Sequence, residues 1–556
     1  MSAKRSAPDI RAQDAAFVSS CSLMALRQRL PLRWPAPPDI PPSPKLAYRS
    51  HYVYLGWEDL EDPATWEHLS DFDILLRVVD FSPLRPVLAQ LLGWTTARGQ
   101  IPFDPVSMFL LIGWQITQGW RRAKMLKNLR DPRYADYAGR FGFQVGLFPT
   151  EGGLRHFLTA LGQHSPTDDE TLIASSIQRL NQLIAQSVTL IQQNGFLSPE
   201  TWSQALLCPD GMLHYAASRM RCGSVTKSCY QPTSASSPRP CPAKDDGHQG
   251  CDCATSACAT VCRYATVRDP EARLVYYSGS NQPHATPDQS ADGAAHTRNA
   301  RGKMVFGYRS LPLQLADLAR RFSLVLLDDF LPANQREENP AAALLRQLAT
   351  HYPDLHPDAV VGDASFGYDA FLHTVYQHLH ARRVVDLRAH PIDQDKSHWP
   401  LRGYDHQGRP ICPFGYALTA NGFDASRQRY KWFCAHACCQ REPLVSLPHV
   451  TYPPSECPYH AHSHGLVINV AERFSDGSMR LVRDVPVDSP AWKRLFHRAR
   501  NAVEGRNAAF ERWNLKRLPC FGWPRNAALI FQADVWLNLT TMARLIREAT
   551  AATGAC

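Results

Sequence analysis

The amino-acid sequence predicts an α/β fold, and two patterns support this prediction. Four short apolar runs carry an acidic residue at or near their ends, and they lie at 205–210, 322–328, 359–363 and 383–387. Their length, their β-branched residues and their Gly or Pro boundaries are typical of buried strands. Helical patterns at 340–352 and 368–380 separate the last three runs. Strands that alternate with helices indicate a sheet covered by helices.

The composition changes along the chain and divides it into zones. The predicted zones are a Pro-rich leader (1–66), an all-helical domain (67–165), a core assembled from 166–221, 301–390 and 490–550, a Cys-rich insertion (222–300), and an insertion of loops and short strands (391–489). The leader has too many prolines to form helices, so we expect it to wrap around other parts of the chain. Long amphipathic patterns at 170–200, 492–517 and 527–548 predict three further helices.

Length and composition exclude several classes of protein. The chain has 556 residues, of which 44% are hydrophobic, and this is enough for a large core and too much for a disordered chain. No apolar run approaches the ~18 residues of a membrane span, so we expect no membrane association. The first residues lack the apolar stretch of a signal peptide, which predicts a cytoplasmic location.

The helical domain carries a basic edge. Pro105 opens a strongly apolar helix, because proline is favoured in the first turn. A basic amphipathic stretch follows and contains Arg121, Arg122 and Lys124. This pattern fits a DNA-binding surface, and it equally fits a domain that only packs against its neighbours.

Positive charge is also concentrated near the C-terminus. The net charge is +9, and residues 493–548 hold 11 Lys and Arg against 4 Asp and Glu. Such a segment favours a polyanionic partner, most simply nucleic acid. A basic helix face that only meets water would give the same count.

Three acidic residues suggest a metal-dependent site. Asp210 and Asp363 each end a predicted strand, and their carboxylates converge if the strands are neighbours. Glu504 lies on the long helix, on one face with Arg500 and Asn507. Carboxylates are the ligands that Mg²⁺ prefers. The alternative is that Glu504 forms an exposed ion pair with Arg500 and that Asp210 is a turn residue.

These residues and their order resemble the DDE transposases of bacterial insertion sequences. The resemblance is carried by Asp210-Gly, by Gly362-Asp363-Ala-Ser-Phe-Gly, by Arg500-x-x-x-Glu504 and by the helical pattern at 99–161. Two positions depart from the family, since His497 stands where Tyr is frequent and Glu511 where Lys is frequent. The resemblance implies a ribonuclease-H-like mixed sheet with flanking helices, and an enzyme that cleaves and joins DNA strands.

The resemblance also implies the site chemistry. Asp210, Asp363 and Glu504 would hold two Mg²⁺ ions, for which Mn²⁺ would substitute, and these ions would promote phosphoryl transfer. The residues expected to contact DNA phosphates are Arg121, Arg122, Lys124, Arg498, Arg500, Arg506, Arg512 and Lys516. The expected partner is double-stranded DNA, bound by a homodimer. A non-transposing nuclease and a catalytically inactive, zinc-stabilised DNA-binding protein remain alternatives.

The chain has 16 cysteines in two main clusters. In a reducing compartment they are expected to be thiols or metal ligands rather than disulfides. Cys251, Cys253, Cys258 and Cys262 are candidate Zn²⁺ ligands in the first insertion, with free thiols as the alternative. A second cluster, between Cys412 and Cys457, also contains several histidines and is a weaker candidate.

Overall fold

The computed structural model of the protein describes most of the chain. The described residues are 28–35, 40–60, 63–94, 96–97, 99–162, 170–218, 269–277, 303–367, 369–385, 403–404, 409–427, 429–439, 457, 459–471 and 490–553. None of the helices in these ranges is long and apolar enough to cross a membrane. The candidate zinc ligands Cys251, Cys253, Cys258 and Cys262 lie outside the described residues.

The N-terminal part is mostly helical, as predicted. Its elements are β1 (Leu32–Arg33), α1 (Pro63–His68), α2 (Asp71–Val78), β2 (Val79–Asp80), α3 (Leu84–Leu91), α4 (Pro105–Thr117), α5 (Arg122–Leu129), α6 (Ala135–Arg140) and α7 (Glu151–Gly162). Asp104 caps α4 by accepting a hydrogen bond from the Val106 N–H, and Pro105 occupies the first turn. The predicted start of this helix is therefore confirmed.

Apolar residues at helical spacing run from 71 to 92, but the structure divides this stretch into two helices, α2 and α3. Val79 adopts an extended backbone conformation and pairs in parallel with Leu32 of the leader. Trp34, two residues further along the leader, is buried. Tertiary pairing therefore overrides the helical spacing, and part of the predicted leader packs into the helical region.

A mixed five-stranded sheet forms the centre of the molecule. After α8 (Glu170–Gln193) and α9 (Pro199–Ser203), the chain forms β3 (Ala205–Pro209), β4 (Met212–Tyr215), β5 (Arg273–Tyr277), β6 (Lys303–Ser310), β7 (Leu313–Asp317), β8 (Phe322–Leu327), β9 (Phe330–Pro332), α10 (Glu338–His351), β10 (Pro357–Gly362), α11 (Asp369–Leu379) and β11 (Arg382–Val385). The strand order is β8–β7–β3–β10–β11. β3 is antiparallel to β7 and parallel to β10, which is parallel to β11. β4, β5, β6 and β9 form a second, antiparallel sheet.

The strands alternate their side chains between two cores, as expected for the two-residue period of a strand. Ala205 and Leu207 of β3 face the large core, whereas Leu206 and Cys208 face the helix that follows the second insertion. That helix, α12 (Pro490–Arg512), covers this second face of the sheet. A last helix, α13 (Trp523–Thr553), packs in the large core.

The large core joins the sheet to the N-terminal helices through α13. Trp536 of α13 lies 5.4 Å from Phe109 and 5.0 Å from Phe72, measured between ring centroids. Gly113 allows this contact, because a Cβ at that position would approach Trp536 to 1.9 Å. The helical region and the sheet region therefore share one hydrophobic core rather than two.

The four predicted strands and the predicted later helices are confirmed by the structure. The sequence analysis missed β4, β6, β7 and β9, which are short or of mixed composition and do not show a clear apolar run. It also placed the end of the first insertion, at residue 300, too far along the chain. β5 lies within the range 222–300 and pairs with β6, so the sheet resumes by Arg273.

The second insertion contains the predicted short strands. They are β12 (Gly403–Tyr404), β13 (Pro410–Ile411), β14 (Thr419–Asp424), β15 (Arg429–Phe433) and β16 (Val467–Ala471). β14, β15 and β16 form a three-stranded antiparallel sheet. A small hydrophobic core of its own lies against this sheet.

Candidate functional site

Two of the three predicted acidic residues meet at one edge of the sheet. Asp210 follows β3 and Asp363 follows β10, and these strands are parallel neighbours. Parallel strands end at the same sheet edge, so the two carboxylates are brought together by the strand order. The side chain of Asp210 is 11% exposed and that of Asp363 is 41% exposed, so the first is buried below the second.

Residues of α12 complete this edge. The Arg500 guanidinium lies 3.8 Å from Asp210 Oδ1 and 3.5 Å from Asp363 Oδ2, so a single cation bridges both carboxylates. Asn507, two turns further along α12, donates a hydrogen bond from Nδ2 to Asp210 Oδ2 at 2.9 Å. The helix is held over the site because Val503 and its apolar neighbours pack on the sheet.

Burial dominates the electrostatics of Asp210. Loss of solvent raises the pKa of Asp210 to about 6, against the lowering effect of Arg500 and the Asn507 hydrogen bond. The nearby carboxylates of Asp363 and Glu337 raise it further. A carboxyl group with a shifted pKa beside a second carboxylate is typical of functional sites, although buried ion pairs elsewhere also shift pKa values.

Glu337 is a fourth acidic residue at this edge, and the sequence analysis missed it. It precedes α10, pairs with Arg309, and accepts a hydrogen bond from Ser365 Oγ at 3.1 Å. The same hydroxyl lies within hydrogen-bond distance of Asp363, so the Glu337 and Asp363 carboxylates share its single proton. Gly211 permits this proximity, because a Cβ there would lie 2.4 Å from Glu337 Oε1. Only the fold brings Glu337 here, since it lies 127 positions after Asp210.

Glu504 lies at the rim of the site. It is exposed on α12, one turn after Arg500 and one turn before Asn507. In the part of the chain that the structure describes, no three His, Cys, Asp or Glu side chains are already grouped as a metal-binding set. The two aspartates are therefore brought together, whereas Glu504 is placed on the adjacent helix without completing a cluster.

The oxygen atoms at this edge fit a hard divalent cation. Asn507 Oδ1 is a buried acceptor with no hydrogen-bond partner among the described residues. It belongs to the side chain that already contacts Asp210. Two carboxylates and an amide oxygen without a partner are the type of donor set that binds Mg²⁺.

The prediction that Arg506 contacts DNA is wrong. Its guanidinium is completely buried, donating from Nε to Asp534 Oδ1 at 2.7 Å and from an Nη to Asp328 Oδ2 at 2.9 Å. A third hydrogen bond reaches Ser310 Oγ at 3.1 Å. Despite burial, these two carboxylates raise the pKa of Arg506, so it stays charged. The residue is a structural link between α12, α13 and the sheet.

Several of the predicted phosphate contacts line one cleft of about 790 Å³. Its basic lining residues are Arg121, Arg122, Lys124, Lys516 and Arg517, and its acidic ones are Glu151 and Glu511. Positive charge therefore exceeds negative charge in this cleft, which we call the basic cleft. Arg517 was not predicted, and it lies over the Tyr215 ring at 5.1 Å.

The basic residues of the cleft differ in how free they are. Arg121 and Lys124 are exposed, and Lys124 lies 5.1 Å from the centre of the Trp120 ring. Arg122 is mostly buried and donates a hydrogen bond to the Pro519 carbonyl oxygen at 2.7 Å. Lys516 lies 3.8 Å from Glu511. Arg121 and Lys124 are therefore the best placed to meet a phosphate.

The remaining predicted contacts lie on the exposed side of α12. Arg498 and Arg512 are exposed, and Arg498 lines a separate cleft of about 760 Å³ together with Arg321 and Asn501.

Comparison of the chain with protein-family models, with curated proteins and with solved structures gives no match. Function is therefore argued from the site itself.

Proposed function

We propose that this chain is a DNA transposase of the DDE type, which cleaves and joins DNA strands at the ends of an insertion sequence. The observation that carries the proposal is the meeting of Asp210 and Asp363 at one sheet edge beneath α12. The strand order supports a ribonuclease-H-like core, since β3, which bears the first acid, is antiparallel to its neighbour β7 on one side and parallel to its neighbour β10 on the other. The resemblance of the motifs gives the reaction class.

Asp210, Asp363 and Asn507 Oδ1, with Glu504 at the rim, would hold the divalent cations. When bound, such ions stabilise charge on a phosphoryl group and on the attacking and leaving oxygens. Asp210 and Asp363 supply the fixed negative charge, and their strands hold them rigidly. Asn507 orients Asp210 through its hydrogen bond.

Arg500 has two possible partners in this reaction. Without DNA it pairs with both Asp210 and Asp363. Its side chain is 25% exposed, so a phosphate can approach it. A guanidinium binds a phosphate oxygen pair as well as it binds a carboxylate. We therefore infer that Arg500 transfers from the aspartates to the DNA backbone when cations occupy the carboxylates.

Cation binding is expected to strengthen as pH rises through about 6 and then to level off. The cation needs the ionised form of Asp210, and below about pH 6 a proton competes for that carboxylate. Asn507→Ala removes a donor to the charged form, so it raises the pKa of Asp210 and moves the midpoint to higher pH. Titration of Mn²⁺ by electron paramagnetic resonance at several pH values measures this.

A matched control for this experiment is Asn501→Ala, an exposed position on the same helix. It should leave the pH midpoint of Mn²⁺ binding unchanged. An affinity that does not vary through pH 6 in the wild type would contradict the role of Asp210.

The double variant Arg121→Ala/Lys124→Ala is expected to bind DNA more weakly, and its affinity should depend less steeply on salt concentration. Each phosphate contact contributes about 0.9 to the slope of log affinity against log salt, so the slope should fall by about 2. Fluorescence anisotropy with duplex DNA over a range of salt concentrations measures both quantities. Arg133→Ala is the control, since Arg133 is 80% exposed, pairs with Asp131 and does not line the basic cleft. An unchanged slope in the double variant would exclude the basic cleft as the DNA path.

A further inference from the structure

The described residues of the second insertion form only a small hydrophobic core. The described residues between 409 and 471 bury six side chains in one cluster, and two of them are Cys412 and Cys434. Small folding units with so little apolar core usually need a disulfide or a structural metal. None of Cys412, Cys434, Cys438 and Cys457 forms a disulfide in the described part of the chain. Another stabilising contribution is therefore expected.

Four cysteines of this unit line one cavity of about 10 Å³, a space that suits a single small ion or atom. Cys412 follows β13, Cys434 follows β15, Cys438 lies one helical turn later, and Cys457 lies in the loop before β16. The four come from three separate turns of the chain. Leu466, one proline and three aromatic side chains close the cavity around the sulfur atoms.

Backbone N–H groups lie against two of these sulfurs and partly offset the effect of burial on their pKa values. The Tyr416 N–H donates to Cys412 Sγ at 3.4 Å, and the backbone N–H of Phe414 also favours the charged form. The backbone N–H groups of Tyr459 and His460 act in the same way on Cys457. Hydrogen bonds of this kind to ligand atoms orient the ligands of structural metal sites.

The turn at Cys434 has an unusual backbone. Ala435 and His436 both adopt positive φ angles of 50°, which costs free energy in residues with a side chain. This conformation reverses the chain, so that Ala437 N–H bonds to the Cys434 carbonyl and Cys438 returns to the cavity. Gly465, from the opposite side, permits close packing on Cys434, because a Cβ there would lie 2.9 Å from the Cys434 Cβ.

Burial raises the pKa of Cys412 to about 12, and the neighbouring Cys434 and Cys457 raise it further. Burial likewise raises the pKa of Cys457. In the described part of the chain no three of these sulfurs are yet drawn together as ligands. A bound cation would replace the protons and draw the sulfurs inward.

We propose that Cys412, Cys434, Cys438 and Cys457 bind one structural Zn²⁺ ion. Four thiolates in a tetrahedral arrangement are a standard ligand set for structural zinc. Binding forms four Zn–S bonds and releases the thiol protons to solvent, with no change of oxidation state. The nearby His460, His462 and His464 are exposed, so they are not needed as ligands. This proposal does not depend on the transposase function.

The full-length protein tests the site directly. Protein purified without chelators should contain zinc, and Cys438 and Cys457 should resist alkylation until a chelator removes it. Mass spectrometry of the alkylated peptides identifies each protected cysteine. Cys438 and Cys457 carry the measurement because they are partly exposed, whereas Cys412 and Cys434 are buried in any case. This comparison uses the wild type, so a variant that fails to fold cannot obscure it.

Variants then separate this site from the other cysteines. Cys438→Ser/Cys457→Ser should lose one zinc per chain, while Cys520→Ser, at a buried free thiol outside the unit, should lose none. Replacing Cys251, Cys253, Cys258 and Cys262 together by Ser should leave the protection of Cys438 and Cys457 intact. The proposal is overturned if the protein neither contains nor takes up zinc. It is also overturned if the chelator leaves the alkylation of Cys438 and Cys457 unchanged.

Discussion

Asp210→Asn is expected to reduce DNA strand cleavage in Mg²⁺ by more than about 100-fold while DNA binding persists. A bound cation contributes several kcal/mol to transition-state stabilisation, and each 1.4 kcal/mol is a factor of about ten in rate. Asp363→Asn and Glu504→Gln are expected to have the same effect, and the losses should not add if the three residues hold the same cations, as we propose. Cleavage of labelled duplex DNA in Mg²⁺ and a gel shift in Ca²⁺ measure the two properties separately.

Glu504→Gln is the most informative of the three changes. Arg500 pairs with the two aspartates in the structure, so loss of the Glu504 charge should cost little stability. Glu548→Gln is the control, because Glu548 is also exposed on a helix, α13, and lines neither of the two clefts. It should cleave at the wild-type rate. A Glu504→Gln protein that also cleaves at the wild-type rate would remove Glu504 from the metal site.

Arg506→Met is expected to lower the free energy of unfolding by about 3–5 kcal/mol. It keeps the apolar stem but leaves Asp328 and Asp534 buried without their cation, and breaking one partner of a buried ion pair costs about this much. Burial already raises the pKa of Asp328, which shows how poorly this position tolerates an unpaired charge. Chemical denaturation followed by circular dichroism measures the loss.

Arg512→Met provides the comparison for this prediction. Arg512 is exposed at the end of the same helix, so its replacement should change stability by less than about 0.5 kcal/mol. Equal stability of the Arg506→Met and wild-type proteins would contradict a buried structural role for Arg506.

Local patterns were enough to predict most helices and four strands. The apolar run of β8 and the apolar stripe of α12 are buried in the structure, and each pattern predicts its element without knowledge of the neighbouring ones. The division between α2 and α3 could not be predicted, since it depends on pairing between Leu32 and Val79. β6 and β7 were missed because their mixed composition gives no clear apolar run.

The candidate site was predicted only in part, because some of its residues show a local sequence pattern and others do not. Asp210 and Asp363 end apolar strands, and this position can be recognised in the sequence. Glu337 precedes a helix, and its contacts at the site are with Arg309 and Ser365, which are distant in sequence. No sequence pattern therefore marks it. Arg506 looked like the other arginines of α12, and only the positions of Asp328 and Asp534 reveal that it is buried.

Strand transfer is the most direct measurement of the proposed function. Labelled duplexes that match the DNA on either side of the coding sequence would be incubated with the protein, Mg²⁺ and a supercoiled plasmid. A transposase should join the 3′ ends of these duplexes to the plasmid, and Asp210→Asn should abolish the product. Hydrolysis of the duplexes without joining would instead indicate a nuclease. The proposal would be contradicted if a folded protein that binds the same DNA neither cleaved nor joined it.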